Sequence, residues 1–289
     1  MSLQRKFEAG EFAILAEIEP PKGADVSLMV ANARRVKGEV DAFVVPEMSN
    51  AVMRMSSLGG AMILQQEGLE TVFQVCCRDR NRLALQADLL AAAAGGIPNV
   101  MAVVGEDPSF GDHHQARAVN DIGLIELLNV IQSLKQGRDM AGIELAGAPQ
   151  FLVGTTAAAG APGKSAELEA EEMMKRAAAG ARFFITPPLF DTSLLKPFLK
   201  RIDTQKITVI PTVLLLKSLG MARYIARNMD HVHIPDTLIK RIQRSPDKAR
   251  ECIKIAAQLV SDLKTEGYHG VLLSTIGWEH RLPEIIEGI

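Results

Sequence analysis

Eight short apolar runs, each followed by a stretch with helical spacing, recur along the whole chain, and no Pro/Ser-rich linker or shift in composition interrupts them. Such alternation restricts a chain to a parallel sheet covered by helices, either closed as a (β/α)8 barrel or open and doubly wound. The first run lies in 12–22, FAILAEIEPPK, where Pro20 must end the strand because it has no amide hydrogen for a ladder. Further strands are predicted over 40–45, 71–77, 99–106, 150–157, 181–186, 206–216 and 270–276. Helical patterns fill 26–36, 55–66, 81–94, 121–135, 166–179, 191–201, 220–227 and 236–264, with a short terminal helix from about residue 281. Residues 107–118, with Gly, Pro and two histidines, read as a longer insertion. The count of eight and the length of 289 residues favour the barrel, as one domain spanning 1–289.

A barrel of this kind builds its active site from the loops after the C-terminal ends of the strands. Those ends collect Glu17 and Glu19, Glu47, Cys77 with Arg78 and Asp79, Gly105 with Glu106 and Asp107, Thr155 and Thr156, Thr186 and Pro187, Lys217 and Thr275. The ring suits a polar ligand better than an apolar one. Glu17 and Glu19 lie two apart, so in an extended chain both point the same way. On the inner face of a barrel such a carboxyl meets little water, and its pKa rises towards the range of a proton donor. The competing reading is a pair of solvated glutamates at a strand end.

Composition removes other classes. A formal net charge of −2 and a pI near 6.3 give no global attraction to nucleic acid or an anionic membrane. No run of about 18 uncharged apolar residues and no signal-peptide pattern is found, so the expectation is a soluble, cytoplasmic protein. Cys76, Cys77 and Cys252 form neither a disulfide framework nor a metal-ligand spacing, and His113 and His114 lack a third ligand, so no metal site is expected. No G-x-G-x-x-G follows the first strand, so any flavin or nicotinamide must bind in a non-Rossmann way. The segment 164–176, KSAELEAEEMMKR, reads by itself as a charged helix with a solvated, internally paired face.

Five strings occur in order over nearly the whole chain: AEIEPPKG, DAFVVPEMS, VCCRDRNRLALQADLL, AVVGEDP followed by GD and DIGLIELL, and AAAGARFFITPPLFD. Together they resemble methylenetetrahydrofolate reductases, particularly the reductase half of bifunctional homocysteine methyltransferase/reductase proteins. The resemblance implies an FAD-bearing (β/α)8 barrel that passes a hydride from NAD(P)H through the flavin to methylenetetrahydrofolate. It places Glu17 on the family's essential acid, which protonates a nitrogen of the folate so that the methylene bridge opens. Gly105 and Glu106 fall on a Gly-Asp pair near flavin and pterin, the longer Glu106 side chain altering the reach. Gln74 stands where most members carry a flavin-contacting histidine, and Glu47, Thr156, Glu169, Glu172, Lys175 and Arg176 match other flavin-contact positions. Lys175 and Arg176 are the candidates for the FAD pyrophosphate.

Three departures concern substrate binding. Pro187 replaces a glutamine that holds both pterin and nicotinamide, and it has neither a side-chain donor nor an acceptor. Leu219 replaces an aromatic residue that stacks in the site. Trp278 stands near a position where many members carry a folate-binding arginine and offers a stacking face instead. Altered folate recognition, or electrons from a partner electron-transfer subunit in place of free NAD(P)H, is the implied consequence. Two alternatives stay open: a related barrel acting on another one-carbon carrier, and a flavin-binding subunit with weak or no reductase activity. A homo-oligomer is also left open.

Overall fold

The computed structural model describes residues 1–204 and 206–289. After helix α1 (Leu3–Ala9) come β1 (Ala13–Glu17), α2 (Ser27–Arg35), β2 (Ala42–Val45), α3 (Ser57–Gln66), β3 (Thr71–Cys76) and α4 (Arg82–Ala94). The alternation continues through β4 (Asn99–Val103), α5 (Leu124–Lys135), β5 (Leu152–Thr156), α6 (Ala166–Ala178), β6 (Phe183–Pro188), α7 (Lys196–Leu199) and β7 (Thr208–Leu214). Three helices then follow one another, α8 (Leu219–Asn228), α9 (Asp236–Arg244) and α10 (Lys248–Thr265), before β8 (Gly270–Ser274) and α11 (Leu282–Ile286). All neighbouring strands are parallel, and β1 pairs with both β2 and β8, so the sheet closes into an eight-stranded barrel. That one pairing excludes the open doubly wound sheet.

Period-two alternation divides the strand side chains between two cores. Ala13, Leu15, Ala42, Val44, Val72, Met101, Leu152, Phe183, Ile185, Ile210 and Leu272 fill the inside, while alternate residues such as Phe43, Phe73 and Phe184 pack outward under the helices. Gly154 makes room for the inner core, since a Cβ there would sit 2.1 Å from the Phe183 ring. The N-terminal end is stoppered by α1, whose Leu3 is fully buried in the inner core and whose Phe7 ring lies 6.0 Å from that of Phe183. Truncating Phe183 to alanine removes the filler of this layer at a cost of about 3–5 kcal/mol.

Helix α1 is absent from the sequence expectations because its seven residues carry too little periodic signal, and only the open barrel end supplies the surface it buries. The helical pattern over 236–264 divides into α9 and α10 at Pro246, which cannot continue α9 and lies just before Asp247, the N-cap of α10. The helix expected over 191–201 is a 3₁₀ turn, Thr192–Leu195, followed by the four-residue α7. The fourth strand stops at Val103 because Gly105 turns the backbone to φ +89°.

Candidate active site

Inward parity carries Glu17 from the Ala13–Leu15 layer to the mouth of the barrel, at the C-terminal end of β1. There its Oε1 accepts a 2.8 Å hydrogen bond from the Ser274 hydroxyl at the end of β8. Burial pushes the Glu17 carboxyl from its ordinary 4.5 up to about 7; the Ser274 hydrogen bond opposes the rise, and the charges of Glu19 and Glu279 add to it. A carboxyl with that pKa holds its proton for part of the time at neutral pH, which a general acid requires.

Glu19, one turn of the pleat further on, is held differently. Arg54 pairs with its Oε2 at 3.0 Å and also donates to the Pro20 carbonyl. Its pKa is raised by burial, but the Arg54 charge pulls against the rise. The two acids selected from the sequence therefore divide into one without a cationic partner and one with an ion pair.

On the next strands a polar network locks the rim. Glu47 is buried, its Oε2 accepting the Ser57 amide at 2.7 Å and its Oε1 meeting Arg80 at 3.1 Å. Arg80 is shared with Asp88 at 2.6 Å. The Ser57 hydroxyl donates to the Val45 carbonyl and accepts from the Gln74 amide, while Gln74 Oε1 accepts the Glu47 amide. Gln74 lies on the inward face of β3, and its side-chain NH2 reaches Met101 Sδ at 3.8 Å. Cys76 and Cys77 are both buried free thiols on opposite faces of the strand end.

Gly105 has no room for a side chain, since a Cβ would lie 2.5 Å from Cys76 Sγ and 2.9 Å from Arg78 Cβ. Arg78, 3% exposed, is gripped by both carboxylate oxygens of Asp79 at 2.7 Å. Glu106 lies beside Arg78 at 3.7 Å with its own side chain 56% exposed. The insertion after β4 is clasped to the loop after β2: Asp112 accepts the Met53 amide at 2.9 Å and pairs with Lys22, and a Cβ on Gly111 would collide with the Ala51 carbonyl. Met48, Asn50 and Ala51 all take left-handed backbone in that loop.

Thr156 ends β5 with an exposed side chain, and its carbonyl accepts from Arg176 at 2.7 Å. Glu169 accepts the Ala158 amide at 2.6 Å. Glu172 pairs with Lys175, three positions on, on the exposed face of α6, and not with Arg176 four positions on as the charge spacing suggests. Residues 158–166, mostly Ala and Gly, line a pocket with Glu169, Leu194, Pro197 and Phe198 beside them. Pro187 sits at a register shift between β6 and β7, its carbonyl accepting from Thr186. Leu219 and Trp278 both pack partly against the outer core, and Lys217 and Arg281 lie 5.5 and 5.9 Å from the Trp278 ring.

Ser274, Arg54, Arg80 and Glu279 escaped the sequence reading. Period-two counting from Gly270 puts Ser274 on the inner face and was the one available signal. Nothing local marks Arg54 or Arg80, whose partners are set by tertiary contact, and Glu279, which accepts the Gly277 amide, bears on Glu17 only through the fold. Among the described residues no cluster of three or more His, Cys, Asp or Glu is spaced to hold a metal ion, and no helix is long and apolar enough to cross a membrane.

Comparison with solved structures shows the barrel in other enzymes. EDTA monooxygenase from Chelativorans sp. BNC1 superposes with a TM-score of 0.58 at 9% identity, covering 96% of this chain and 93% of that one. A 2,3-dimethylmalate lyase of the PEP mutase/isocitrate lyase superfamily gives 0.54 at 8% identity, covering 94% and 76%. At such identities the likeness is one of fold alone. No curated protein matches the chain. The family model described as methylenetetrahydrofolate reductase matches residues 2–289, so that the barrel, with its acid at the mouth, belongs to the methylenetetrahydrofolate reductase family of oxidoreductases.

Proposed function

We propose that this protein is a flavin-dependent reductase that converts 5,10-methylenetetrahydrofolate to 5-methyltetrahydrofolate in one-carbon metabolism. The observation that carries the reading is Glu17: a carboxyl at the barrel mouth, pushed up to about 7, in a chain of the reductase family. FAD is the cofactor the residues suit. Gln74 and Thr156 lie on the inward parity of β3 and β5, a pocket lined by small residues follows β5, Arg176 reaches the Thr156 carbonyl, and Lys175 adds a cation on the exposed face of α6.

When bound, FAD would supply the hydride. The protein's own part is to bind and orient the substrate and to deliver a proton. Glu17, protonated, would donate from its free oxygen to N10, the bridge nitrogen outside the pterin ring, so that the N10–CH2 bond breaks and leaves an N5 iminium that accepts hydride. Glu19, paired with Arg54, would stand beside the positive charge that develops on the substrate. The buried Glu47–Arg80 pair would keep Gln74 in place at the flavin edge.

Pro187 favours a second feature of the reading. Without a side-chain amide at Pro187 the end of β6 offers no side-chain hydrogen bond there to orient a nicotinamide, and lost positioning costs orders of magnitude in rate. Electrons would then enter from a partner redox protein more readily than from free NAD(P)H. The test is the visible spectrum of the purified protein: a yellow protein bleached by 5-methyltetrahydrofolate without oxygen is expected. A yellow protein inert to folates would refute the folate reading, and a colourless one that takes up no FAD would refute the flavin reading.

A further inference from the structure

Positive charge is gathered in one part of the chain. Residues 217–254 carry nine Lys and Arg against four Asp and Glu, a formal +5 where the whole chain carries −2, which leaves −7 for the rest. The fold lays this segment out as α8, α9 and α10 side by side. Arg223 of α8 reaches Gln243 of α9 at 3.0 Å, and Arg241 of α9 pairs with Glu251 of α10 at 2.5 Å. Arg223, Arg227, Lys240, Arg244, Lys248 and Arg250 are all exposed, and among the described residues none of them has a carboxylate partner. Tyr224 lies among them, 64% exposed.

The face reaches the barrel mouth. Helix α10 has 18 residues, about 27 Å of helix, and it enters β8 from the N-terminal end of the barrel, whereas a five-residue strand spans only about 17 Å. Its first turn, with Lys248, and the end of α9, with Arg244, therefore stand level with the strand ends that carry Glu17 and Ser274.

We propose that the outer face of α8, α9 and α10 is the docking surface for a small acidic redox protein, an inference that rests on the partner-donor reading above. Unpaired exposed cations repel one another and gain most from an anionic partner. A nucleic acid or an anionic bilayer would extend beyond the patch and meet the negative remainder of the surface, whereas a compact acidic protein covers the patch alone. At 8–10 Å between helix axes the three helices offer roughly 300–400 Å², well below the ~800 Å² per partner of a stable complex and in the range of transient redox encounters. An exposed tyrosine among cations is the side chain such interfaces use as an anchor.

The experiment titrates a flavodoxin-type acidic carrier onto the full chain by calorimetry, at low and high salt. Binding is expected to weaken at least roughly tenfold on raising the salt to about 0.5 M and in the double variant Lys240→Glu/Arg244→Glu. Arg138→Glu, an exposed charge elsewhere on the surface, should bind as the unaltered protein does. Reoxidation of the reduced protein by methylenetetrahydrofolate should be unchanged in the double variant, which separates docking from chemistry. Unaltered binding by the double variant, absence of salt-dependent binding of the carrier, or tighter binding of single-stranded RNA or phosphatidylserine vesicles would overturn the proposal. Salt-sensitive carrier binding that the double variant loses would uphold the docking face even in a chain found to hold no flavin, where the flavin reading alone would fall.

Discussion

The hydroxyl of Ser274 donates to Oε1 of Glu17 at 2.8 Å, joining the last strand to the first across 257 positions of sequence. With Oε1 engaged as an acceptor, the proton of the neutral acid resides on the other oxygen, the one free to meet a ligand in the mouth. The contact exists only because β8 closes against β1, with Leu15 opposite Leu272 and Ala16 opposite Leu273.

Glu17→Gln should fold and bind flavin like the unaltered protein, because the side chains are nearly isosteric. Reduction of methylenetetrahydrofolate should fall by about 10² to 10⁴, the usual worth of a positioned acid. Glu19→Gln should cost far less. Stopped-flow measurement of the two half-reactions checks this, since reduction of the flavin needs no proton from Glu17 and should survive in both variants.

Ser274→Ala should move the alkaline limb of the folate half-reaction to higher pH. A hydrogen bond donated to a carboxylate favours its charged form, so its removal raises the Glu17 pKa above about 7. Ser274→Thr, which keeps the hydroxyl, should restore the profile. A purely structural role for Ser274 would lower the rate at every pH without displacing the limb.

The same raised pKa makes a statement about stability. Folded Glu17 binds its proton more tightly than the unfolded chain does, so stability is lost as pH rises from about 4.5 through about 7. Glu17→Gln removes that loss. The variant should match the unaltered protein below pH 4.5 and exceed it above pH 7, by roughly 3 kcal/mol, in urea titrations at each pH.

Arg80→Met should destabilise the barrel by roughly 3 kcal/mol, because it leaves the buried Glu47 carboxylate with only the Ser57 amide. The double variant Glu47→Gln/Arg80→Met, which removes both charges, should lose less than Arg80→Met alone. Equilibrium denaturation of the three proteins decides it.

Lys175→Ala and Arg176→Ala should differ. Lys175 is tied only to Glu172 on an exposed helix face, so its loss should weaken FAD retention without touching stability. Arg176 also holds the Thr156 carbonyl at the end of β5, so its loss should lower both. Equilibrium dialysis of FAD and thermal melts separate the two effects.

What the sequence determined by itself was the order and the type of the elements. Period-two apolar runs such as 71–77 and helical spacing such as 82–94 are local properties, and Pro20 and Gly105 end their strands through their own backbone chemistry. The acid at position 17 was legible for the same reason, as an inward-facing charge at the end of an apolar strand. Tertiary structure alone decided which of the two acids stands without an ion-pair partner among the described residues. Arg54 and Ser274 come from remote parts of the chain, and closure of β8 on β1 buries Glu17 while Arg54 neutralises Glu19. It also decided that α1 is a helix at all, because seven residues cannot hold that form in water until an open barrel end takes up Leu3 and Phe7. The positive face of α8 to α10 has the same double origin: its charges are plain in the sequence, but only the packing of α8 on α9 and of α9 on α10 makes them one surface.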